Sequence, residues 1–311
     1  MEEYTRETKA CLDERYTTCD ESGIYFAHQP IYGFRKGHSE RGLIVRYLRT
    51  YQIIKSLSHL DFASLLDVGC AEGFQGYVIA NIFGVEVRGC DLSAEACKRA
   101  KEIFDLVADP ADIHDLPYDD GQFDVVVCSE TLEHACDHQK AMRELLRVAR
   151  KAVVVTVPHE PARKIEQNIR RRIPHGHIHS FTLKSFDFLR KEGCRVYGRR
   201  FISKLLSIPQ ALLEATPTQG GEHGYPDWLV TAYNLYASVS DRVIGDSLRK
   251  RMVALLLPGD EALCRLIPLH GGLVFVVLKG GACAYAERRR DFSAHQILDL
   301  NVPYHYLGEK R

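Results

Sequence analysis

The chain has 311 residues, of which 45% are hydrophobic, so it is long enough to bury a sizeable core. Its 41 Lys and Arg residues balance 41 Asp and Glu residues, so no overall field draws the protein to nucleic acid or anionic lipid. The N-terminus is polar and no apolar run reaches about 18 residues, so we expect neither a signal peptide nor a membrane span. The ten cysteines include no C-x-x-C pair, which is typical of reduced thiols in a cytoplasmic protein.

Residues 1–63 are predicted to form a cap that precedes the main fold. Residues 4–20 are polar and are expected to be a short helix or irregular. An aromatic-rich segment at 25–37 is broken by Pro and Gly, and residues 40–57 carry apolar side chains at helical spacing. The aromatic segment could cover a ligand or be an ordinary surface loop, whereas the helix is expected to pack on the edge of a sheet.

The stretch from residue 64 to residue 91 has the pattern of a nucleotide-binding βαβ unit. A short apolar strand is followed by a glycine turn at 69–73, a helix at 74–83, a second strand at 85–90, and then Asp91. Gly69 and Gly73 allow backbone amides to approach a ligand where a Cβ atom would collide. Asp91, at the tip of the second strand, can accept hydrogen bonds from ribose hydroxyls.

The spacing of Asp67, Gly69, Ala71 and Gly73 resembles motif I (D-x-G-x-G-x-G) of the class I S-adenosylmethionine (AdoMet) methyltransferases, with Ala71 in place of the middle glycine. The resemblance extends to the strand and loop at 122–134 and to the segment at 177–188. It implies AdoMet as cofactor, with the turn on its methionine end, Asp91 on ribose, and three further residues around adenine. The implied cofactor-binding residues are Asp67, Gly69, Ala71, Gly73, Asp91, Leu92, Asp112, Ile113 and Ser129.

Two of these assignments have alternatives. Asp91 could simply cap the helix that starts at Ser93, and other acids near Asp112 could take its place on adenine.

The later elements continue the βα alternation. They are a helix at 93–104, strands at 106–108 and 123–128, a helix at 140–148, a strand at 152–157, a helix at 182–191, and strands at 194–201 and 273–278. The resemblance implies an α/β, doubly wound, mostly parallel seven-stranded Rossmann-like sheet with an antiparallel last strand. We divide the chain into the N-terminal helical cap (1–63), the AdoMet-binding core (64–201), a helical insert before the last strand (202–270), and the last strand with its tail (271–311). The insert is expected to be a substrate lid or an oligomer surface.

Histidines are the candidate bases for a hydroxyl acceptor, because a hydroxyl keeps its proton at neutral pH. We select His134, His177 and His179, with His159 and His175 as further candidates. Residues 175, 177 and 179 alternate, so in an extended segment their side chains point the same way. Each of these histidines could instead be a packing or surface residue.

Glu130, Glu133 and His134, with the later His177, resemble the set that holds a divalent ion in small-RNA 3′-end 2′-O-methyltransferases. Metal-free relatives also carry an E-x-x-E-H stretch at this place. We therefore expect no metal and keep these four residues as an alternative metal site.

The expected function is AdoMet-dependent O-methylation of a small-molecule, sugar- or lipid-linked hydroxyl. A basic run, Arg163, Lys164 and 170–172, could bind an anionic acceptor or could be a solvated helix face. The alternatives are a metal-assisted RNA 2′-O-methyltransferase and a non-catalytic AdoMet-binding protein. Nucleic acid is not the expected partner, and an oligomer could form through the helical insert.

Overall fold

The computed structural model describes residues 2–18, 42–213, 227–243, 245–280 and 290–302, together with Ile31 and Tyr285. Seven strands form one sheet: β1 Ser64–Val68, β2 Glu86–Asp91, β3 Ala108–Pro110, β4 Phe123–Ser129, β5 Ala149–Pro158, β6 Arg195–Ser203 and β7 His270–Leu278. The helices are α1 Glu2–Thr17, α2 Leu43–Leu57, α3 Phe74–Phe83, α4 Ala94–Phe104, α5 His138–Val148, α6 Ala162–Arg170, α7 Phe188–Lys191, α8 Ser207–Leu213, α9 Asp227–Val243, α10 Asp246–Leu266 and α11 Ala294–Leu298.

The strand order is β3-β2-β1-β4-β5-β7-β6, and β7 runs antiparallel to both of its neighbours. The other strands are mutually parallel, which confirms the doubly wound sheet with an antiparallel last strand. The chain winds outward in both directions from the β1–β4 pair. In sheets of this kind, ligands bind outside the carboxyl ends of the strands at such a switch point.

Helices cover both faces of the sheet, so its central strands are buried almost throughout. On one face, Val154 of β5 packs in a layer with apolar residues of α2, α3, α4, α10 and α11. On the other face, Val153 and Val155 pack with α5 and with the phenylalanines Phe181 and Phe186. This alternation along β5 follows from the two-residue period of a strand.

Several element boundaries differ from the sequence prediction, and three of the differences change the description of an element. The third strand was placed at 106–108 but pairs with β2 through Ala108–Pro110, because Leu106 turns inward against the helix layer. The helix predicted at 182–191 is helical only at Phe188–Lys191; the preceding residues form successive i→i+3 turns. The short or irregular segment predicted at 4–20 is the 16-residue helix α1.

The helical insert is attached to the end of β6. The carboxylate of Asp260 in α10 accepts hydrogen bonds from the backbone N–H groups of Ile202 (2.8 Å) and Ser203 (2.7 Å). Asp260 is fully buried, and α10 packs against β6, α2 and α11. The aromatic segment predicted at 25–37 lies outside the described residues except for Ile31, which is buried in the core. Among the described helices, none is both long and apolar enough to cross a membrane.

Candidate active site

A cavity of about 520 Å³ opens at the carboxyl ends of β1, β2 and β4. Its floor includes the glycine turn after β1, the end of β2 and the segment after β4. Its cover comes from the N-terminal cap, because α1 contributes Tyr4, Thr8 and Arg15, and α2 contributes Arg46 and Arg49. The described residues of the insert at 202–213, 227–243 and 245–270 do not line this cavity. Helix α1 therefore occupies the position that we had considered for an insert lid.

The glycine turn depends on left-handed backbone at three positions. Gly69 has φ 72°, and a Cβ atom there would overlap the hydroxyl of Thr131. Gly73, with φ 84°, is the residue before α3. Ala71 adopts φ 48° despite its side chain, and its N–H donates to Asp91 Oδ2 at 2.9 Å. The turn is therefore held in place by the acid at the end of β2.

Asp91 faces both the cavity and the start of α4. It lines the cavity, and its second oxygen, Oδ1, accepts the N–H of Ser93 at 2.9 Å at the start of α4. Burial raises the pKa of Asp91, while these backbone hydrogen bonds oppose the rise. Ser93 itself caps the helix, since its hydroxyl accepts the N–H of Ala96.

Asp67 lies under the turn, and its side chain is fully buried. Burial raises its pKa to about 7, and Asp91 adds to the rise through its negative charge. Its Oδ2 atom has no hydrogen-bond partner among the described residues. A ligand cation next to this carboxylate would satisfy it, which fits the ammonium group of a bound amino acid.

Asp112 is held by His114, which lies two residues further along the chain. Asp112 Oδ1 accepts hydrogen bonds from the His114 backbone N–H (2.9 Å) and from its Nδ1 (2.6 Å). The hydrogen bond from the His114 ring holds the pKa of Asp112 below its usual value. The N–H of Asp137 donates to His114 Nε2 at 3.2 Å, which fixes the imidazole from the other side. Asp112 and Ile113 line the cavity together with Leu92 and Ser129.

Four side chains from distant parts of the chain meet at the other end of the cavity: Glu133, His134, His175 and His177. His134 donates its Nδ1 proton to the carbonyl of Gly176 (3.2 Å), and its ring stacks on His175 at 3.7 Å between centroids. The free Nε2 of His134 lies 3.9 Å from Glu133 Oε1. Burial and the neighbouring histidines lower the pKa of His134 to about 2. Burial, and then the nearby Glu130, raise the pKa of Glu133 well above its usual value.

Residues 66–156 match the family described as "Methyltransferase domain". Norajmaline N-methyltransferase of Rauvolfia serpentina is 37% identical over 93 residues, which are 28% of this chain and 32% of that protein. The chloroplastic tocopherol O-methyltransferase of Arabidopsis thaliana is 29% identical over 190 residues, 55% of each chain. The chain thus matches between a third and about half of the length of these curated relatives.

The cyclase SpnF shares the fold, with a TM-score of 0.50 and 16% identity over 88% of this chain and 94% of that one. Residues 66–156 therefore form a methyltransferase domain, and this match implies S-adenosylmethionine as the cofactor. All nine cofactor-binding residues expected from the sequence fall in the methyltransferase domain, at or beside the cavity. Eight line it, and Gly73 shapes the turn from behind, where a Cβ atom would press on Ala100.

The histidine candidates form two groups, those that line the cavity and those that do not. His134 and His177 line the cavity, as does His175. His179 does not line it and donates its Nε2 proton to the carbonyl of Ala135 at 2.6 Å. His159 is also outside and donates Nδ1 to the carbonyl of Phe181 at 2.8 Å. The hydrogen bonds of His159 and His179 therefore hold loop segments together, and neither side chain faces the cavity.

Of the four residues of the alternative metal site, three lie together and the fourth does not. Glu133, His134 and His177 present ligand atoms that lie within 4.8 Å of one another. Glu130 is held elsewhere, because its Oε2 accepts from Arg49 Nη2 at 2.9 Å.

The sequence predicted a cap at 1–63 but not which of its residues line the cavity. Arg46 and Arg49 are one turn apart on a helix that we expected only to pack on the sheet. The polar helix α1 offered no sequence signal for its place over the cavity. Conversely, the basic run at 163–172 lies outside the cavity lining, and 170–172 are exposed.

Proposed function

We propose that this protein transfers the methyl group of AdoMet to a hydroxyl of a small acceptor. The observation that carries the proposal is the Glu133–His134 pair, which offers two buried proton-accepting atoms at the end of the cavity away from Asp91 and Asp112. The curated relatives include both O- and N-methyltransferases, so they support methyl transfer without selecting the acceptor atom.

The cofactor half of the cavity suits AdoMet residue by residue. The unpartnered Oδ2 of Asp67 would receive the ammonium group, and the turn at Gly69 leaves room for close backbone approach. Asp91 would accept the ribose hydroxyls, and the free oxygen of Asp112 would accept the adenine amine. When bound, AdoMet supplies an electrophilic methyl group on a sulfonium centre.

Glu133 is the proposed base. Its raised pKa makes its carboxylate a better proton acceptor than an ordinary glutamate, whereas the low pKa of His134 makes that imidazole a weak base. His134 keeps its Nδ1 proton on Gly176, so Nε2 can accept a hydrogen bond and orient the acceptor hydroxyl. As the acceptor oxygen bonds to the methyl carbon, the bond from that carbon to sulfur would break to release S-adenosylhomocysteine, and the hydroxyl proton would pass to Glu133. Helix α1 excludes water from this step.

The test supplies methyl-labelled AdoMet and a fractionated small-molecule extract, and identifies the methylated atom by mass spectrometry. We expect Glu133→Gln to lower turnover by about 10²- to 10⁴-fold while AdoMet affinity stays within about twofold. Glu166→Gln on exposed α6 is the matched control and should retain wild-type turnover. Methylation only at nitrogen would refute the hydroxyl assignment. AdoMet binding without methyl transfer to any fraction would favour the non-catalytic alternative.

A second candidate is metal-assisted transfer, favoured by the grouping of Glu133, His134 and His177. His177 donates Nδ1 to Glu160 at 3.0 Å and His134 donates Nδ1 to a carbonyl, so both Nε2 atoms are presented for coordination. Glu133 Oε2 has no partner among the described residues. A divalent ion held there would lower the pKa of a bound hydroxyl.

Treatment with a metal chelator distinguishes metal-free from metal-assisted methyl transfer. Our first proposal expects full turnover after exhaustive EDTA treatment and no stoichiometric metal in the purified protein. Loss of turnover that Mn²⁺ or Mg²⁺ restores would favour the second candidate, and RNA 3′ ends would then be tested beside the metabolite extract. We place the reaction in the cytoplasm, in keeping with the free thiols of the described cysteines.

A further inference from the structure

The methyltransferase cavity is small for two ligands. Its volume of about 520 Å³ must hold both the cofactor and the acceptor. Sites for one drug-sized ligand commonly span about 300–1,000 Å³. The space left beside AdoMet therefore suits a compact metabolite rather than a long chain.

The lining of the cavity is polar as well as small. Besides Asp67 Oδ2, five buried polar atoms in it lack a hydrogen-bond partner within the described part of the chain: Arg49 Nε, Gln75 Oε1, Glu130 Oε1, Glu133 Oε2 and His175 Nδ1. A buried polar atom that stays unsatisfied destabilises the protein, so a bound ligand is expected to supply partners. The set mixes donors with acceptors, which matches hydroxyl groups, since a hydroxyl does both. An acceptor with a large apolar body does not satisfy these atoms.

An exposed arginine lines the cavity together with the imidazoles. Arg15, on the last turn of α1, shares this lining with His134 and His175. Two nearby acids are paired with other side chains: Glu130 pairs with Arg49, and Glu160, which is outside the lining, pairs with Lys164 and His177.

We infer that the acceptor is a small hydroxylated molecule with a carboxylate or phosphate group, and that Arg15 binds this anionic group at the cavity mouth. This inference rests on the proposed function and specifies its substrate class. Guanidinium binds either anion through paired, charge-assisted hydrogen bonds. In this arrangement the anion stays at the mouth and the hydroxyl to be methylated extends inward toward Glu133.

The experiment uses three probes that differ only at one end: glycerol, glycerate and glycerol 3-phosphate. Each is titrated by calorimetry into the full chain saturated with S-adenosylhomocysteine, so no turnover is needed. We expect at least one of the two anions to bind at least about tenfold more tightly than glycerol, and Arg15→Gln to remove that difference. The preferred anion then distinguishes a carboxylate from a phosphate acceptor.

Three variants keep the outcome interpretable. Arg15→Lys should recover part of the preference, and Arg6→Gln, on the same helix but outside the cavity lining, should leave it intact. S-adenosylhomocysteine affinity should be unchanged in Arg15→Gln. Equal binding of all three probes, or a preference that survives Arg15→Gln, would overturn the inference. A matching loss of S-adenosylhomocysteine affinity would overturn it too, by assigning Arg15 to the cofactor's carboxylate. Because binding alone is measured, failure here is distinct from failure of hydroxyl methylation.

Discussion

The protonation of Asp67 makes the stability of the cofactor-free protein depend on pH. Its folded pKa, about 7, lies above the value near 4 of an unfolded aspartate. The group therefore stabilises the fold least above pH 7, because folding must then bury a charged carboxylate that the backbone hydrogen bond from Gly76 only partly compensates. Its contribution is retained only at acid pH.

We predict that cofactor-free wild type loses roughly 3 kcal/mol more stability than Asp67→Asn between pH 5 and pH 8. Urea unfolding of both proteins at several pH values measures the difference. Saturating AdoMet should shrink the difference, because its ammonium group pairs with the carboxylate. Parallel pH profiles for the two cofactor-free proteins would show that Asp67 does not titrate in this range.

Asp91 should be the most sensitive single position for cofactor binding. Asp91→Ala removes the acceptor for the ribose hydroxyls and also releases the N–H of Ala71, so AdoMet affinity should fall by roughly 1.5–3 kcal/mol. Asp91→Asn keeps one acceptor oxygen and should lose less. Calorimetry that finds unchanged affinity in folded Asp91→Ala would remove Asp91 from the ribose site.

At the scale of elements, α1 is attached to the cofactor-binding core by contacts with α4. Asp13 Oδ1 accepts from the Ser93 hydroxyl at 2.5 Å, and Arg99 Nη1 donates to the carbonyl of Tyr16 at 3.0 Å. Arg99 also forms a buried ion pair with Glu72 of the glycine turn. The side chain of Arg99 thus links helix α1 to the glycine turn.

Asp13→Ala should loosen this cover and weaken AdoMet binding by about 1 kcal/mol, the typical value of one hydrogen bond. Glu7→Ala, at an exposed position of the same helix, is the control and should bind like wild type. Stopped-flow measurement should place the loss in a faster dissociation rate. Identical dissociation rates for the two variants would mean that the Asp13–Ser93 contact does not hold the cover closed.

Local patterns were enough to predict some elements and not others. The β1–α3–β2 unit and Asp91 follow from strand period, glycine positions and chain order within about 30 residues. Helix α1 could not be placed, because Asp13 and Ser93 are separated by 80 positions and polar helices carry no apolar stripe that points to a partner. The resemblance grouped Glu133 and His134 with the later His177, whereas the stacking of His175 on His134 joins two loops that only the folded chain brings together.

Across the whole molecule, the balanced net charge hides an uneven distribution. The arginines at 170–172 are exposed on and after α6, whereas Arg15, Arg46 and Arg49 lie around the cavity. Composition could not distinguish these two groups, because their separation depends on how the cap folds back over the sheet.

The sequence alone left open whether the exposed arginines bind an anionic acceptor or form a solvated helix face. With the cavity lined by other arginines, we expect the triple change Arg170→Ala, Arg171→Ala and Arg172→Ala to leave kcat/KM within about twofold of wild type. Arg15→Gln, assayed beside it, should raise KM at least about tenfold once an acceptor is known. A raised KM in the triple variant alone would return the basic run to the acceptor site.

Because α1 covers the cavity, we expect the cofactor to enter and leave when the contacts between α1 and the start of α4 separate. If this exchange of ligands is rate-limiting, a mutation that speeds the chemical step will leave kcat unchanged. In such an enzyme, kcat depends more on solvent viscosity than on acid–base chemistry.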